Sequence, residues 1–181
     1  PNGSGKSTLL KLLTGLYHPT HGSIWLDDVP IQRENIQAFR ELYSIIFSDF
    51  HLFDRLYGLD EVDPDRVQEL LNLMELQTKT NYDGNRFTNL DLSTGQRKRL
   101  ALLVTYLEDS PVYVFDEWAA DQDPHFRAYF YETLLRDLKE RGKTVVVVTH
   151  DDRYFSVADH IFKMELGKFV PLSAANGATT S

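Results

Sequence analysis

The first eight residues, Pro1-Asn2-Gly3-Ser4-Gly5-Lys6-Ser7-Thr8, constrain the fold more than any other part of this chain. Two glycines stand among short polar residues, then a lysine and two hydroxyls, and leucines at helical spacing follow at once. Glycine lets backbone amides approach an anion closely, and a helix starting there directs the positive end of its dipole at the same point. The octet fits the phosphate-loop pattern except for a leading glycine, which would stand just before Pro1. Asn2, Gly3, Ser4, Gly5 and Thr8 are therefore candidate phosphate contacts. Lys6 is aimed at β and γ phosphates, and Ser7 is a candidate Mg²⁺ ligand. Because Pro1 falls inside the motif, the chain reads as a fragment whose first strands lie upstream.

Downstream, apolar strands alternate with amphipathic helices. The spacing predicts a helix over 7–16, an extended stretch at 22–27, a buried strand over 42–47 and a helix over 64–76 opened by Asp63 and Pro64. A loop at 81–91 precedes a helix over 96–107. A strand over 112–115 ends in two acids, and a long helix capped by Asp123 and Pro124 stops at Gly142. A fully apolar strand follows over 143–149, then a short helix at 152–158 and an extended pair at 161–165 and 168–171. The pattern is that of an α/β domain with a mostly parallel sheet flanked by helices, its polar motifs at the carboxyl ends of the strands. The polar tail at 172–181 is expected to be disordered.

Composition narrows the function. The 181 residues suit one domain, and 42% hydrophobic content suits a packed core. A net charge of -8 argues against a nucleic-acid partner, and the lack of cysteine removes disulfides and thiolate metal sites. No apolar run approaches the roughly 20 residues of a membrane-spanning helix, so any membrane role needs a partner or an upstream segment.

Three further motifs carry chemistry. Val112-Tyr113-Val114-Phe115-Asp116-Glu117 delivers two carboxylates at a strand end, Asp116 for Mg²⁺ and Glu117 to take a proton from attacking water. His150 would stand beside those carboxylates if its strand neighbours theirs. Leu92-Ser93-Thr94-Gly95-Gln96 makes a second anion-ready helix start, followed by Arg97, Lys98 and Arg99. Three cations at a helix start oppose the dipole, which predicts an acidic neighbour or a phosphate nearby; the simpler alternative is a solvated basic face.

With these residues in place, the chain from Pro1 to about Pro171 resembles the ABC ATPase family of P-loop NTPases. The resemblance implies a nucleotide-binding domain over 1–171 with a helical subdomain at about 50–108. It also implies head-to-tail pairing with a second ABC ATPase domain, so that Ser93, Gly95 and Gln96 meet ATP bound by the partner's phosphate loop. Asp123 falls in the segment expected at that interface, Glu117 matches the catalytic glutamate, and His150 matches the switch histidine.

The run Phe47-Ser48-Asp49-Phe50-His51-Leu52-Phe53, the signature with Thr94, and Asp116-Glu117-Trp118-Ala119-Ala120-Asp121-Gln122-Asp123-Pro124-His125-Phe126 look like bacterial cyclic-peptide and siderophore exporters, including the pyoverdine and lariat-microcin exporters. In those, a transmembrane region precedes the ATPase on the same chain, which places the domain at the cytoplasmic face of the inner membrane. Two departures stand out. Ser48 replaces the family's usual glutamine at the metal, so Ser48 or Asp49 is expected to take over that contact, and Thr94 replaces a signature glycine. The alternatives are a soluble ABC ATPase acting on ribosomes or DNA, and a weakly hydrolysing nucleotide-gated module.

Overall fold

The computed structural model describes residues 5–59 and 62–170. The expectations for Asn2, Gly3, Ser4 and the tail at 172–181 fall outside those residues.

Three parallel strands form the centre: β3 (Tyr43–Ile46), β4 (Val112–Asp116) and β5 (Thr144–Val148), with β4 in the middle. Their register aligns Ile46 with Phe115 and Phe115 with Val147, so all three strands end at one level. Strands buried on both faces read as continuous apolar runs. That holds for β4, whose Tyr113, Val114 and Phe115 are buried, but the valines of β5 are only half-buried. β5 is an edge strand among the described residues, so its apolar run is less enclosed than that of β4.

Ahead of the sheet lie α1 (Lys6–Leu13), a small antiparallel hairpin of β1 (Trp25–Leu26) and β2 (Val29–Pro30), and α2 (Ile36–Arg40). The extended stretch predicted at 22–27 is thus the first arm of a hairpin. Between β3 and β4 run α3 (Pro64–Leu73) and α4 (Thr94–Glu108). The Asp63 carboxylate accepts from Asp65 N, and Pro64 needs no amide partner there. Val67, Leu70, Leu71 and Met74 of this segment share one core with Leu100, Leu102 and Leu103 of α4.

After β4 the chain makes one 3₁₀ turn, Trp118–Asp121, then a long helix in three parts: α5 (Pro124–Tyr129), a π turn (Phe130–Leu134) and α6 (Leu135–Glu140). The sequence predicts a single regular helix; the structure interrupts it with a π turn, whose extra residue leaves no mark on the apolar stripe. Trp118 stacks on Phe130 at 4.3 Å between ring centres, and Phe115 meets the same ring edge-on at 5.3 Å. These buried rings anchor the turn after β4. A second 3₁₀ turn (Asp152–Val157) and a hairpin of β6 (Lys163–Glu165) and β7 (Lys168–Val170) complete the described chain. Among the described residues no helix is long and apolar enough to cross a membrane.

Candidate functional site

The sheet's common end gathers the polar residues. Gly5 adopts φ +90 immediately before α1, a conformation glycine takes without strain. Ser7, in the first turn, donates from Oγ to Asp116 Oδ2 at 2.9 Å. Ser48, two residues beyond β3, has its Oγ 3.4 Å from the same carboxylate oxygen. Asp116 is 2% exposed, and a carboxylate this buried needs partners for its lone pairs. One acid and two hydroxyls converge here. Such an all-oxygen set fits a hard cation that completes its shell with phosphate oxygens and water, as Mg²⁺ does.

Glu117 and His150 form a second pair. β4 and β5 are parallel neighbours, so the residues just past their ends meet, and His150 Nε2 lies 3.0 Å from Glu117 Oε1. Glu117 itself is left-handed at φ 53, and its amide donates to Val148 O at 3.0 Å. The His150 loop is braced from behind: Tyr131 Oη donates to Thr149 Oγ1 at 2.8 Å, and that oxygen accepts from Asp151 N at 3.0 Å. Burial pushes the Tyr131 phenol up from its ordinary value, so it remains a donor. Tyr131 lies within the π turn. A cleft of about 340 Å³ opens beside Glu117 and His150, lined also by Ala120, Arg127, Asp151 and Arg153.

The start of α4 is closed by a reciprocal cap. Ser93 Oγ accepts from Gln96 N, and Gln96 Oε1 accepts from Ser93 N at 3.1 Å. The hydrogen bonds of Ser93, Gly95 and Gln96 run within α4 and to Gln122, not to the cluster around Asp116. Gly95 has a packing reason to be glycine, because a Cβ there would meet Asp121 O at 2.6 Å.

The basic run resolves against the solvated-face alternative for two of its three members. Lys98 is 3% exposed and pairs with Asp121 at 2.6 Å. Arg99 is buried between Glu75 and Asp123, donates to Gln122 at 2.9 Å and stacks 3.6 Å over the Phe126 ring. Acidic neighbours, one of the two expectations, account for both cations. Asp123 also caps α5 by accepting from Phe126 N at 3.0 Å, and that bond, aided by Arg99, holds its carboxyl below the ordinary value. Tyr131 and Arg127 were not singled out in the sequence. Lys98 was signalled there only as a cation at a helix start.

With this geometry in place, comparison with known proteins assigns the class. Residues 1–120 match the family described as ABC transporter, and the chain belongs to that family; it is an ABC ATPase domain. It is 50% identical over 173 residues to the ATP-binding protein SyrD of Pseudomonas syringae pv. syringae, covering 93% of this chain and 31% of SyrD. It is 31% identical to the energy-coupling factor transporter ATP-binding protein EcfA2 of Streptococcus agalactiae, covering 92% of this chain and 64% of that protein. Among solved structures, a dimeric ATP-binding cassette in a post-hydrolysis state with ADP and Pi superposes with a TM-score of 0.76 at 26% identity, covering 93% of this chain and 80% of that one. The chain thus spans about a third of one relative and under two thirds of the other.

Proposed function

We propose that this domain binds MgATP at the end of β4 and hydrolyses it to drive an exporter. The observation that carries the reading is the convergence of Ser7, Ser48 and Asp116 beside the paired Glu117 and His150. Asn2, Gly3, Ser4, Gly5, Lys6 and Thr8 cradle the phosphates. Ser7, Asp116 and Ser48 hold Mg²⁺, which when bound offsets charge on the phosphate oxygens. Glu117 takes the proton of the attacking water, and His150 holds that carboxylate in place. Ser93, Gly95 and Gln96 complete the site of a second, head-to-tail domain, with Asp123 near that interface. The dimeric cassette bound to ADP and Pi supports such pairing as a general mode of this fold.

The exporter branch rests on the run from Phe47 to Phe53, the signature with Thr94 and the run from Asp116 to Phe126, and on the likeness to SyrD. The match occupies only 31% of SyrD, which leaves room there for a membrane region on the same chain. The cargo is a cyclic peptide or peptide siderophore, and the domain works at the cytoplasmic face of a bacterial inner membrane. A helical subdomain at about 50–108 carries α3 and α4. Ser48 favours a second reading, a weakly hydrolysing nucleotide-gated module, because its contact to Asp116 is long at 3.4 Å.

The test is Mg²⁺-dependent ATP turnover by the complete protein in lipid, with cargo present. Turnover of about 1 s⁻¹ or more, lost in Asp116→Asn, supports the export ATPase. Tight MgATP binding with turnover orders of magnitude slower supports the gated module instead.

A further inference from the structure

The residue that ties the start of α4 to Glu117 is a lysine the hydrolytic scheme does not use. Lys98 sits in the second turn of α4 and is 3% exposed, where solvent cannot stabilise a cation. A lysine placed so needs its donors answered, and two partners answer them: Asp121 Oδ2 at 2.6 Å and the backbone oxygen of Glu117 at 3.0 Å. The connection is reciprocal, because Trp118 Nε1 donates to Lys98 O at 3.0 Å.

The Glu117 backbone is where such a bond matters. Glu117 is a non-glycine residue at φ 53, ψ 32, a conformation that persists only when its surroundings over-determine it. Val148 O takes its amide proton, Lys98 donates to its carbonyl, and the following ring, Trp118, is clamped between Lys98 O and Phe130. The direction of the Glu117 carboxylate, and its 3.0 Å contact with His150, follow from that fixed backbone. Gly95 lets α4 approach closely enough for the reach, since any Cβ would strike Asp121 O.

We infer that Lys98 is a positioning residue for hydrolysis: it holds the Glu117 peptide in its left-handed conformation and so aims the carboxylate, linking the helix start at Ser93 to the base on the same chain. The inference rests on the proposed role of Glu117. It also gives α4 a route of influence, since any shift of the helix start on meeting a second domain's nucleotide would reach Glu117 through Lys98.

The test uses the complete protein. Lys98→Met, close in length and apolar, is expected to lower single-turnover hydrolysis of MgATP about tenfold, while the Kd of a fluorescent ATP analogue with Mg²⁺ stays within about twofold. Added to Glu117→Gln, Lys98→Met is expected to cost nothing further, because the group it positions is already gone. Lys98→Arg, which keeps charge and donors, recovers more of the rate than Lys98→Met. An unchanged rate in Lys98→Met, or the same tenfold loss in the Glu117→Gln background, overturns the inference. A Glu117→Gln protein with normal hydrolysis overturns the base assignment as well, which separates the two failures. If Lys98→Met does not fold, Asp121→Asn alters only the half-exposed partner: a lower rate at unchanged Kd supports the inference, and an unchanged rate contradicts it.

Discussion

Ser7 Oγ donates to Asp116 Oδ2 at 2.9 Å, joining the first turn of α1 to the end of β4 across 109 residues of chain. With Ser48 on the same oxygen, the buried carboxylate has hydroxyl neighbours on two elements, arranged as a cation would need them. If this is the Mg²⁺ site, Ser7→Ala should raise the Mg²⁺ concentration for half-maximal hydrolysis by about tenfold, and Ser48→Ala, with the longer contact, by about two- to threefold. Mg²⁺ titrations of ATPase rate at saturating ATP check this. No change in either variant would remove the metal from this cluster.

Arg99 holds together three pieces of chain: the end of α3 through Glu75, the cap of α5 through Asp123, and the segment between through Gln122. Both carboxylates are about half exposed, so solvent weakens these pairs, but the guanidinium is buried and stacked on Phe126. Arg99→Met should lower stability by about 2 kcal/mol, read from urea unfolding midpoints.

Gly95→Ala tests the close approach of α4 to the turn after β4. The added methyl meets backbone, which cannot swing aside as a side chain can, so the helix start must shift. A loss of about 1–3 kcal/mol is expected, with the ATPase rate falling further than the folded fraction does.

How these elements can be read from residues alone differs sharply between the sheet and its supports. The phosphate loop, the strand ending at Asp116 and Glu117, and the Asp63 and Asp123 caps are local patterns, each written within about eight residues. The meeting of His150 with Glu117 needed one topological fact, that β4 and β5 are neighbours, and parallel register then supplies the contact. The edge position of β5 and the π turn at Phe130 were not legible, because four successive valines and a regular apolar stripe look the same in either case. Lys98 and Arg99 were conspicuous in the sequence as misplaced cations. Their partners Asp121, Glu75 and Asp123 lie 23 or 24 residues away, beyond what periodicity shows.

Stability should also carry a pH signature from the far end of the sheet. Burial pushes the Glu108 carboxyl above its ordinary value of 4.5, although Ser44 Oγ donates to it and pulls the other way. The folded form therefore holds this proton to higher pH than the unfolded chain. Its contribution is most favourable below the ordinary value and is lost as pH rises through the raised one. Glu108→Gln removes that dependence, so Tm measured from about pH 4 to about pH 7 should decline less in the variant than in the parent. Parallel profiles would contradict it.

The central claim, that Glu117 is the base at an ATP site built around Asp116, is tested most directly by trapping. Complete protein carrying Glu117→Gln, incubated with radiolabelled MgATP and rapidly filtered, should retain uncleaved ATP at close to the parent's affinity, with turnover reduced by at least about a hundredfold. Hydrolysis at the parent's rate in that variant, with ATP still bound, would contradict the account.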